Sequence, residues 1–355
     1  MKNMENKKKK RRRKLKIKKF TIAVFLLDVL AVVVLFFVYG PVSYFRELWI
    51  TTAMTTMNHH YLAYTFYSPK LVAEVMSRNY IVPITEEINL DDIVIGNTEE
   101  KDSYSSIYEE QIFTRDEGND IYKIIRINES GYKGYLTVIY DPANVELAVP
   151  KQLGRVGASV AKMCRDNNGL VGINGGGFED IDGWGNGSTP YGAIIKDGEL
   201  IWQHAGGNGG LIGFNKDHKM YLTTESPEVA ISKGMVDAVE FGPFLIVNGK
   251  VAQIHGDGGW GIAPRTVIAQ RKDGIVLFLV IEGRLPGYSL GASMRDVIQL
   301  LSRYKAYNAA NLDGGASTTM AVNGKLYNRP SVGGEYGGRA VSNAWIVVDN
   351  TDQTE

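Results

Sequence analysis

The most apolar segment of the chain lies near its N-terminus. Residues 20–39 read FTIAVFLLDVLAVVVLFFVY, with Asp28 as the only charged side chain. A helix of this length measures about 30 Å, which matches the hydrocarbon core of a bilayer. The segment continues into Gly40 and Pro41 without the small-x-small site at which a signal peptide is cleaved. The pattern therefore predicts an uncleaved transmembrane helix over residues 20–40.

A basic tail precedes this helix. Residues 1–19 contain twelve Lys and Arg side chains and one acid, Glu5. Such a segment cannot form a packed core, and its charge favours the cytoplasmic side of a membrane and its anionic lipids. Nucleic-acid binding is the alternative for a basic run, but the adjacent apolar helix disfavours it. We therefore expect a single-pass protein of the cell membrane, with a cytoplasmic N-terminus and the rest of the chain extracytoplasmic. For Asp28, a partner for another helix and a tolerated acid both remain open.

Residues 41–120 alternate between helical and polar patterns. RELWITTAMTTMNHHYLAYTFY at residues 46–67 is helix-like, and Ser68-Pro69 is a typical helix start. An acidic, polar stretch over residues 97–120 predicts a linker or loop. We interpret the whole region as a partly helical extracytoplasmic stalk and linker, or a small subdomain.

From residue 121 onward, short β-branched and aromatic runs alternate with glycine clusters. Two segments, residues 154–167 and 289–304, have helical spacing instead. The fold class predicted for residues 121–350 is therefore α+β, a sheet-rich mixed α/β catalytic domain. Four dipeptides predict hairpin turns within it, namely Asp197-Gly198, Asn248-Gly249, Asp273-Gly274 and Asn323-Gly324.

Charge and cysteine content narrow the function classes. Outside the tail, 27 basic residues face 38 acidic ones, so nucleic-acid binding by bulk charge is disfavoured and an anionic substrate needs local cations. The single cysteine, Cys164, excludes an intramolecular disulfide and a Cys-based metal site. Its flanks predict a buried, inert thiol. An extracytoplasmic domain without disulfides fits a bacterium better than a eukaryotic secretory lumen.

Three parts of this domain carry candidate chemistry, and a fourth adds to them. The first is a glycine run, and the second is a hairpin with two arginines. A predicted strand ends in INGGGF at residues 173–178, where Asn174, Gly175 and Gly176 let the backbone approach a ligand, although an ordinary turn or bulge is the alternative. Arg265 in PRT and Arg284 in EGR fall at one end of a predicted hairpin. Their guanidinium groups suit phosphate oxygens, and surface ion pairs, with Glu282 as a partner, are the alternative.

The third segment is NLDGGAST at residues 311–318. It places Asp313 before a glycine turn and follows it with Ser317 and Thr318, so that an acid, backbone N–H groups and hydroxyls face one ligand. GRAVSNA at residues 338–344 adds a further cation, Arg339.

Together, and in this order, these segments resemble the phosphodiester glycosidase family, whose bacterial members are often described as exopolysaccharide biosynthesis proteins. FGP at residues 241–243 also matches, whereas EGR at 282–284 departs from the more frequent Asp-Gly-Arg. The resemblance covers roughly residues 121–350, about two thirds of the chain.

The resemblance implies hydrolysis of a sugar-1-phosphodiester, which releases the sugar and leaves a phosphomonoester. Because the phosphate is already a competent leaving group, cations replace part of the general-acid help, while a carboxylate activates water or stabilises an oxocarbenium-like centre. We assign the carboxylate role to Asp313, with Glu282 second, and a catalytic cation to Arg265. The expected substrate-binding residues are Asn174, Gly175, Gly176, Arg284, Gly314, Gly315, Ser317, Thr318 and Arg339.

No cofactor is expected. A general acid or a divalent cation near glycine-rich turns is the alternative, and the residues concerned are His204, His255, Asp180, Asp182 and Asp257, which show no recognised ligand spacing. The expected partners are a phosphorylated glycan and the membrane. A non-catalytic phosphoglycan-binding protein and a sugar-transferring protein of exopolysaccharide or envelope assembly are the competing functions. Asp313 beside a phosphate site favours an enzyme, but the sequence leaves hydrolysis against transfer, stereochemistry and sugar identity open.

Overall fold

The structure is a computed structural model of the 355-residue chain. It describes residues 2–56, 59–96, 103–180, 185–204, 207, 209–332 and 338–350, with the backbone alone for residues 2–15 and 17. Two parts of the sequence-based predictions, Asp182 and the first residues of the predicted linker, 97–102, lie outside the described residues.

The chain begins with a long helix, α1 (Lys2–Tyr39). Its part from Lys18 to Tyr39 spans 22 residues, of which an 18-residue stretch has a mean hydropathy of 2.9 and is only 6% buried within the protein. Among the described residues it is the one helix long and apolar enough to cross a membrane. The structure thus supports the apolar helix predicted for this segment.

Three short helices follow and form what we call the helical cap: α2 (Ser43–Met54), α3 (Tyr61–Phe66) and α4 (Pro69–Arg78). They share a small core with the end of α1, made by Val38, Ile50, Ala53, Ala63, Tyr67, Val72 and Val75. The predicted helix start at Ser68-Pro69 is confirmed, because the Ser68 hydroxyl accepts a hydrogen bond from the Leu71 N–H and caps α4.

The rest of the described chain is rich in strands, as predicted. The remaining helices are α5 (Ile107–Phe113), α6 (Val160–Asp166), α7 (Pro227–Ser232) and α8 (Met294–Arg303). The strands are β1 (Tyr80–Ile81), β2 (Tyr122–Glu129), β3 (Tyr132–Ile139), β4 (Val145–Ala148), β5 (Val171–Asn174), β6 (Gly192–Lys196), β7 (Glu199–His204), β8 (Gly210–Asn215), β9 (Met220–Thr223), β10 (Met235–Phe241), β11 (Phe244–Val247), β12 (Lys250–Val251), β13 (Ile254–His255), β14 (Arg265–Arg271), β15 (Val276–Ile281), β16 (Ala306–Asn311), β17 (Met320–Val322), β18 (Lys325–Leu326) and β19 (Ala344–Val347).

These strands pair antiparallel in four sheets. The central sheet has seven strands in the order β12-β11-β16-β14-β15-β3-β2. Two five-stranded sheets have the orders β7-β6-β10-β8-β9 and β18-β17-β5-β19-β4, and β1 pairs with β13 in a two-stranded ribbon. The α+β fold class predicted from the sequence is therefore confirmed.

Both faces of the central sheet are covered, which explains why its middle strands are apolar throughout. Along β14, Val267 and Ala269 point into a core shared with α5 and α8, whereas Ile268 between them points into a core shared with the two five-stranded sheets. Successive side chains of a strand alternate between faces, so a sheet covered on both sides needs apolar residues at every position.

The short-range predictions hold well. All four predicted turns join paired strands, and at the Asn248-Gly249 turn both residues have positive φ, 52° and 74°. The two predicted helices are present but shorter, as α6 and α8, and α8 starts with a capping box between Ser293 and Asp296. Cys164 is fully buried, as predicted, and burial raises the pKa of its thiol to about 12.

The region predicted as a stalk contacts the sheet-rich part closely. Strand β1 pairs with β13, and Ile112 and Phe113 of α5 are buried in the core on the helical face of the central sheet. The domain boundary after residue 120 stays a prediction. This packing means, however, that a fragment beginning at residue 121 would expose part of that core.

Candidate active site

Four of the singled-out segments meet at one end of β14. The loop after β16 is held against the start of β14, because the Leu312 N–H donates to the Thr266 carbonyl at 2.9 Å and the Gly315 N–H to the Pro264 carbonyl at 2.9 Å. From the other side, the Asp313 N–H donates to the Gly175 carbonyl at 2.9 Å. The loop that carries Asp313 is thus fixed between PRT and INGGGF.

Asn174 is the central connector of this arrangement. Its side chain is fully buried; Nδ2 donates to the Asp313 carbonyl at 2.6 Å, and Oδ1 accepts from the Thr266 hydroxyl at 2.8 Å and the Thr319 N–H at 3.0 Å. The sequence assigned it to substrate binding. The structure instead commits its amide to three protein partners, so it positions the Asp313 loop.

Asn343 likewise positions Gly175 and Gly176. It lies within GRAVSNA, but the sequence alone does not single it out. Its carbonyl accepts from the Gly175 N–H at 3.1 Å, and its Oδ1 accepts from the Gly176 N–H at 2.7 Å. A Cβ on Gly175 would lie 2.1 Å from that Oδ1. Gly175 is therefore required for close approach to protein atoms, and both glycines serve to shape the site.

Asp313 is half-buried and surrounded by polar groups. Burial raises the pKa of its carboxyl to about 6, against the hydrogen bond from Ser317 and the charge of Arg339, and the nearby Asp180 adds to the increase. Ser317 itself is 3% exposed. A carboxyl group with a pKa near the working pH is suited to general-base or nucleophilic chemistry.

A second carboxylate, Asp180, is bound by Arg339, the cation that also acts on the carboxyl group of Asp313. The guanidinium binds it at two points, Nη1 to Oδ2 and Nη2 to Oδ1, both at 2.8 Å, and both side chains are largely buried. Although burial acts in the opposite direction, the pKa of Asp180 is lowered, because Arg339 and the Gly185 N–H donate to its carboxylate. The sequence had noted Asp180 only as an alternative acid or metal ligand. The structure places it beside Asp313.

Arg284 lies across the glycine turn of the Asp313 loop. A Cβ on Gly315 would lie at ordinary contact distance from its Nη2 and Nη1, 3.4 and 3.5 Å, so the guanidinium rests directly on this turn. Burial lowers the pKa of Arg284, and the negative charge of Asp313 opposes this shift. The φ of Arg284 is +58°, a strained value for a residue with a Cβ. Such strain is frequent at functional sites.

Arg265 is the most deeply placed cation. Only 3% of it is exposed; Nε donates to the Ala292 carbonyl at 3.0 Å, and Nη2 to the carbonyls of Trp260 and Gly261 at 2.7 and 2.8 Å. Burial and the charge of Arg284 lower its pKa to about 9, which confirms that the two arginines lie near each other as predicted. Within the described part of the chain, Nη1 makes no hydrogen bond, so it is the edge available to an anion.

The structure separates Glu282, the second-choice carboxylate, from the contacts that surround Asp313. Its Oε1 accepts from the Arg329 N–H at 2.5 Å, and it faces Tyr288, whose pKa rises to about 12 through burial and the Glu282 carboxylate. Lys133 and Arg329 cover the Tyr288 ring, each 4.6 Å from its centroid. The alternative left open by the sequence, an ion pair between Glu282 and Arg265 or Arg284, does not occur among the described contacts.

Of the remaining candidate site residues, some lie in the loop that carries Asp313 and the others lie elsewhere in the fold. Gly314 packs on the Pro264 carbonyl, and Thr318 is buried with a hydroxyl that has no partner in the described structure. His255 stacks on Tyr80 with centroids 4.6 Å apart, whereas His204 lies 3.4 Å from Glu179. The described residues contain no cluster of three or more His, Cys, Asp or Glu that could hold a metal ion.

Comparison with known proteins identifies the family of the chain. A family model described as phosphodiester glycosidase matches residues 167–348, just over half of the chain. That span includes Asn174, Asp180, Arg265, Arg284 and Asp313. The chain belongs to the phosphodiester glycosidase family.

Individual relatives are more distant. The chain is 31% identical over 206 residues to the SPbeta prophage-derived uncharacterized protein YomE of Bacillus subtilis (strain 168), covering 56% of this chain and 30% of YomE. It is 25% identical over 191 residues to N-acetylglucosamine-1-phosphodiester alpha-N-acetylglucosaminidase of Bos taurus, covering 49% of this chain and 35% of that enzyme. The chain thus spans about a third of the length of these relatives.

A solved structure shows the same fold. The catalytic domain of the zebrafish N-acetylglucosamine-1-phosphodiester alpha-N-acetylglucosaminidase, auto-inhibited by its pro-peptide, superposes with a TM-score of 0.54 at 22% identity. The match covers 66% of this chain and 85% of that domain.

Proposed function

We propose that the protein is a membrane-anchored extracytoplasmic glycosidase that hydrolyses sugar-1-phosphodiester bonds in cell-surface glycans or related polymers. One observation carries the proposal: a half-buried carboxyl, Asp313, with a pKa raised to about 6, adjoins Ser317 and the cations Arg284 and Arg339. This arrangement joins an acid–base group to an anion site.

The chemistry follows from the two kinds of group. Arg284 and Nη1 of Arg265 bind the phosphate oxygens and stabilise the negative charge that grows on them as the bond between C1 of the sugar and the phosphate oxygen breaks. The ionised Asp313 takes a proton from the water that attacks C1. The products are the free sugar and a phosphomonoester, which keeps the bridging oxygen and the bonding electron pair.

The substrate class is supported by two independent facts. The bovine and zebrafish relatives are named for N-acetylglucosamine-1-phosphodiester, an anionic diester of a sugar. Outside the basic tail the chain carries an excess of acids, so the cations gathered around Asp313 are a local feature that a polyanion would need.

Membrane anchoring is supported by the surface next to the apolar helix. Tyr44, Trp49, Tyr61 and Tyr64 of the helical cap are exposed by 41–60%. Trp and Tyr collect where a membrane helix leaves the bilayer. We propose a cytoplasmic tail over residues 1–19, a transmembrane helix over 20–40, and an extracytoplasmic part from residue 41 whose glycosidase-like domain covers 121–350 in exopolysaccharide or envelope metabolism.

The proposal is tested with the full chain purified in detergent, incubated with an alpha-N-acetylglucosaminyl phosphodiester and with a small panel of other sugar-1-phosphodiesters. We expect release of free sugar and of a phosphomonoester, and loss of both in Asp313→Asn and Arg265→Ala. Asp217→Asn, on an exposed turn, is the matched control and should keep full turnover. Binding of the diesters without turnover would overturn the hydrolase in favour of a phosphoglycan-binding protein. Appearance of the sugar on another acceptor would show a transferase.

A further inference from the structure

The loop of residues 255–262, which we call the Asp257 loop, is built from glycines that need support from outside. Gly256, Gly258, Gly259 and Gly261 have φ values of 59°, 82°, 74° and 54°. Glycine reaches such values easily but also many others, so the sequence of the loop does not fix its shape. Two hydrogen bonds within the loop, from the Gly258 N–H to the His255 carbonyl and from the Gly259 N–H to the Asp257 carboxylate, both at 2.9 Å, fix part of it, and contacts with other elements supply the rest.

The helical cap supplies these contacts through Asp257 and its neighbours. The Asn79 Oδ1 accepts from the Asp257 N–H at 2.9 Å, and Asn79 is 4% exposed. The Thr51 hydroxyl, which is fully buried, donates to the Asp257 carboxylate. The Thr52 hydroxyl accepts from the Ile262 N–H at 3.2 Å. Helices α2 and α4 therefore hold both ends of the loop.

The same loop binds the buried guanidinium of the candidate active site. The carbonyls of Trp260 and Gly261 accept from Nη2 of Arg265, and Gly261 immediately precedes the Ile262 N–H that Thr52 holds. The Asp257 charge also acts on Arg265 and favours its protonated form. Among the described residues no carboxylate forms an ion pair with Arg265, so these two carbonyls, together with the Ala292 carbonyl that accepts from Nε, define where its guanidinium lies.

We propose that Thr51 and Asn79 are positioning residues, which hold the Asp257 loop so that its carbonyls aim Arg265 at the substrate phosphate. The helices next to the apolar anchor thereby complete the active site from a distance. The inference rests on the role given to Arg265 in the proposed function. A displacement of about 1 Å in a substrate-binding group costs up to about a hundredfold in rate, so a glycine-rich loop that holds such a group needs a clamp of this kind.

The test measures the exposure of single arginines, which requires no substrate. Full-length protein in detergent is treated with phenylglyoxal, and the labelling rate of each arginine is read by peptide mass spectrometry. Thr51→Val removes the hydroxyl with little change of shape, Asn79→Ala is the second variant, and Thr51→Ser restores the hydroxyl. Thr65→Val is the matched control, because Thr65 lies in the same cap but bonds only to the Tyr61 carbonyl.

We expect Arg265 to label about tenfold faster in Thr51→Val, as loss of a hydrogen bond to a charged group implies, faster than native in Asn79→Ala, which loses the acceptor of the Asp257 N–H, and at the native rate in Thr51→Ser and Thr65→Val. Arg271, buried at the other end of β14, reports on the global fold and should stay protected. Unchanged labelling of Arg265, or equal increases at Arg265 and Arg271, would overturn the positioning role.

Turnover gives the second readout. In Thr51→Val we expect kcat to fall about tenfold with little change in KM, because the clamp aims a cation at the transition state, and we expect no further loss when Arg265→Lys is already present. A native chain without turnover would refute the proposed function alone, since the labelling result stands without it. Additive losses in the double variant would refute the clamp.

Discussion

Asp180 and Arg339 form a two-point ion pair across 159 residues of sequence, and this pair borders Asp313. The positive charge of Arg339 lowers the pKa of both acids, yet the two pKa values end on opposite sides of the ordinary value. The pKa of Asp180 is lowered by its hydrogen bonds, whereas burial raises that of Asp313 to about 6. Neighbouring carboxyl groups whose pKa values are driven apart usually have different tasks. Here Asp180 holds the cation and Asp313 exchanges the proton.

Removing the charge of Asp180 tests this division. In Asp180→Asn the neutral amide no longer holds Arg339 at two points, so the cation is free to pair with Asp313. We expect kcat to fall at least about tenfold and the acid limb of the pH–rate profile to move to lower pH. The matched control is Asp166→Asn, which breaks an exposed ion pair with Lys162 on α6. A pH–rate profile with the same midpoint and the same maximum rate as that of the native protein would show that Asp180 takes no part in the reaction.

The pH dependence of the native protein follows from Asp313. Its carboxyl must be ionised to accept a proton, and its pKa is about 6. We expect kcat/KM to be constant well above pH 6 and to fall tenfold per pH unit well below it. The measurement is initial rates of sugar release across this range. A profile that stays flat down to pH 4 would mean that Asp313 is not the base.

The same shift predicts a change in stability. The folded pKa of Asp313 lies above the ordinary value of 3.8, so the folded protein binds this proton more tightly than the unfolded chain. Ionisation of Asp313 therefore lowers the free energy of unfolding as pH rises from 3.8 to 6, and the loss is complete above 6. We expect Asp313→Asn to be more stable than the native protein above pH 6, with the difference shrinking as the pH is lowered through this window. Urea unfolding at several pH values measures it, and a difference independent of pH would contradict the shift.

Substitutions of Arg284 separate the cost of its strained backbone from the function of its guanidinium. At its φ of +58° a glycine is unstrained, so we expect Arg284→Gly to be about 1 kcal/mol more stable than Arg284→Ala. Both variants lose the guanidinium that lies over Gly315, and turnover should fall about a hundredfold in each. Thermal and urea unfolding together with sugar release measure both effects. Equal stability of the glycine and alanine variants would argue against strain, and retained turnover in both would argue against a phosphate contact.

Glu282 provides the test between the two carboxylates assigned from the sequence. In Glu282→Gln the side-chain oxygen still accepts from the Arg329 N–H, and the group around Tyr288 keeps its shape. We expect kcat to stay within about threefold of the native value, whereas Asp313→Asn abolishes turnover. Loss of turnover in Glu282→Gln with native folding would transfer the catalytic role to Glu282.

The sequence was sufficient for those parts of the fold that depend on neighbours along the chain. The Asn-Gly and Asp-Gly turns, the Ser68 cap and the apolar helix each follow from local preferences, and the proximity of Arg265 and Arg284 follows from pairing across one hairpin. The motifs also located the Asp313 loop. These features need only strand register and turn chemistry, which a single sequence displays.

The long-range contacts could not be predicted from the sequence. The role of Asn174 as a connector is not visible in the sequence, because its three partners, Thr266, Asp313 and Thr319, are all distant from it along the chain. The Asp180–Arg339 pair and the contact between the helical cap and the Asp257 loop depend on how sheets and helices pack. Thr51 and Asn79 lie in the region whose composition predicts a partly helical stalk. Their buried partners are distant in sequence, so no periodicity reveals them.

The burial of Cys164 has a practical consequence for topology. Its thiol lies on the buried face of α6 with no exposed surface, and a Cβ on Gly172 would be only 2.5 Å from its sulfur. Thiol reagents need an accessible thiolate, so the native chain should be almost silent toward membrane-impermeant maleimides. Single cysteines introduced in the basic tail and in the helical cap would then be the only reactive positions, and whole cells would report directly which end of the anchor faces outward.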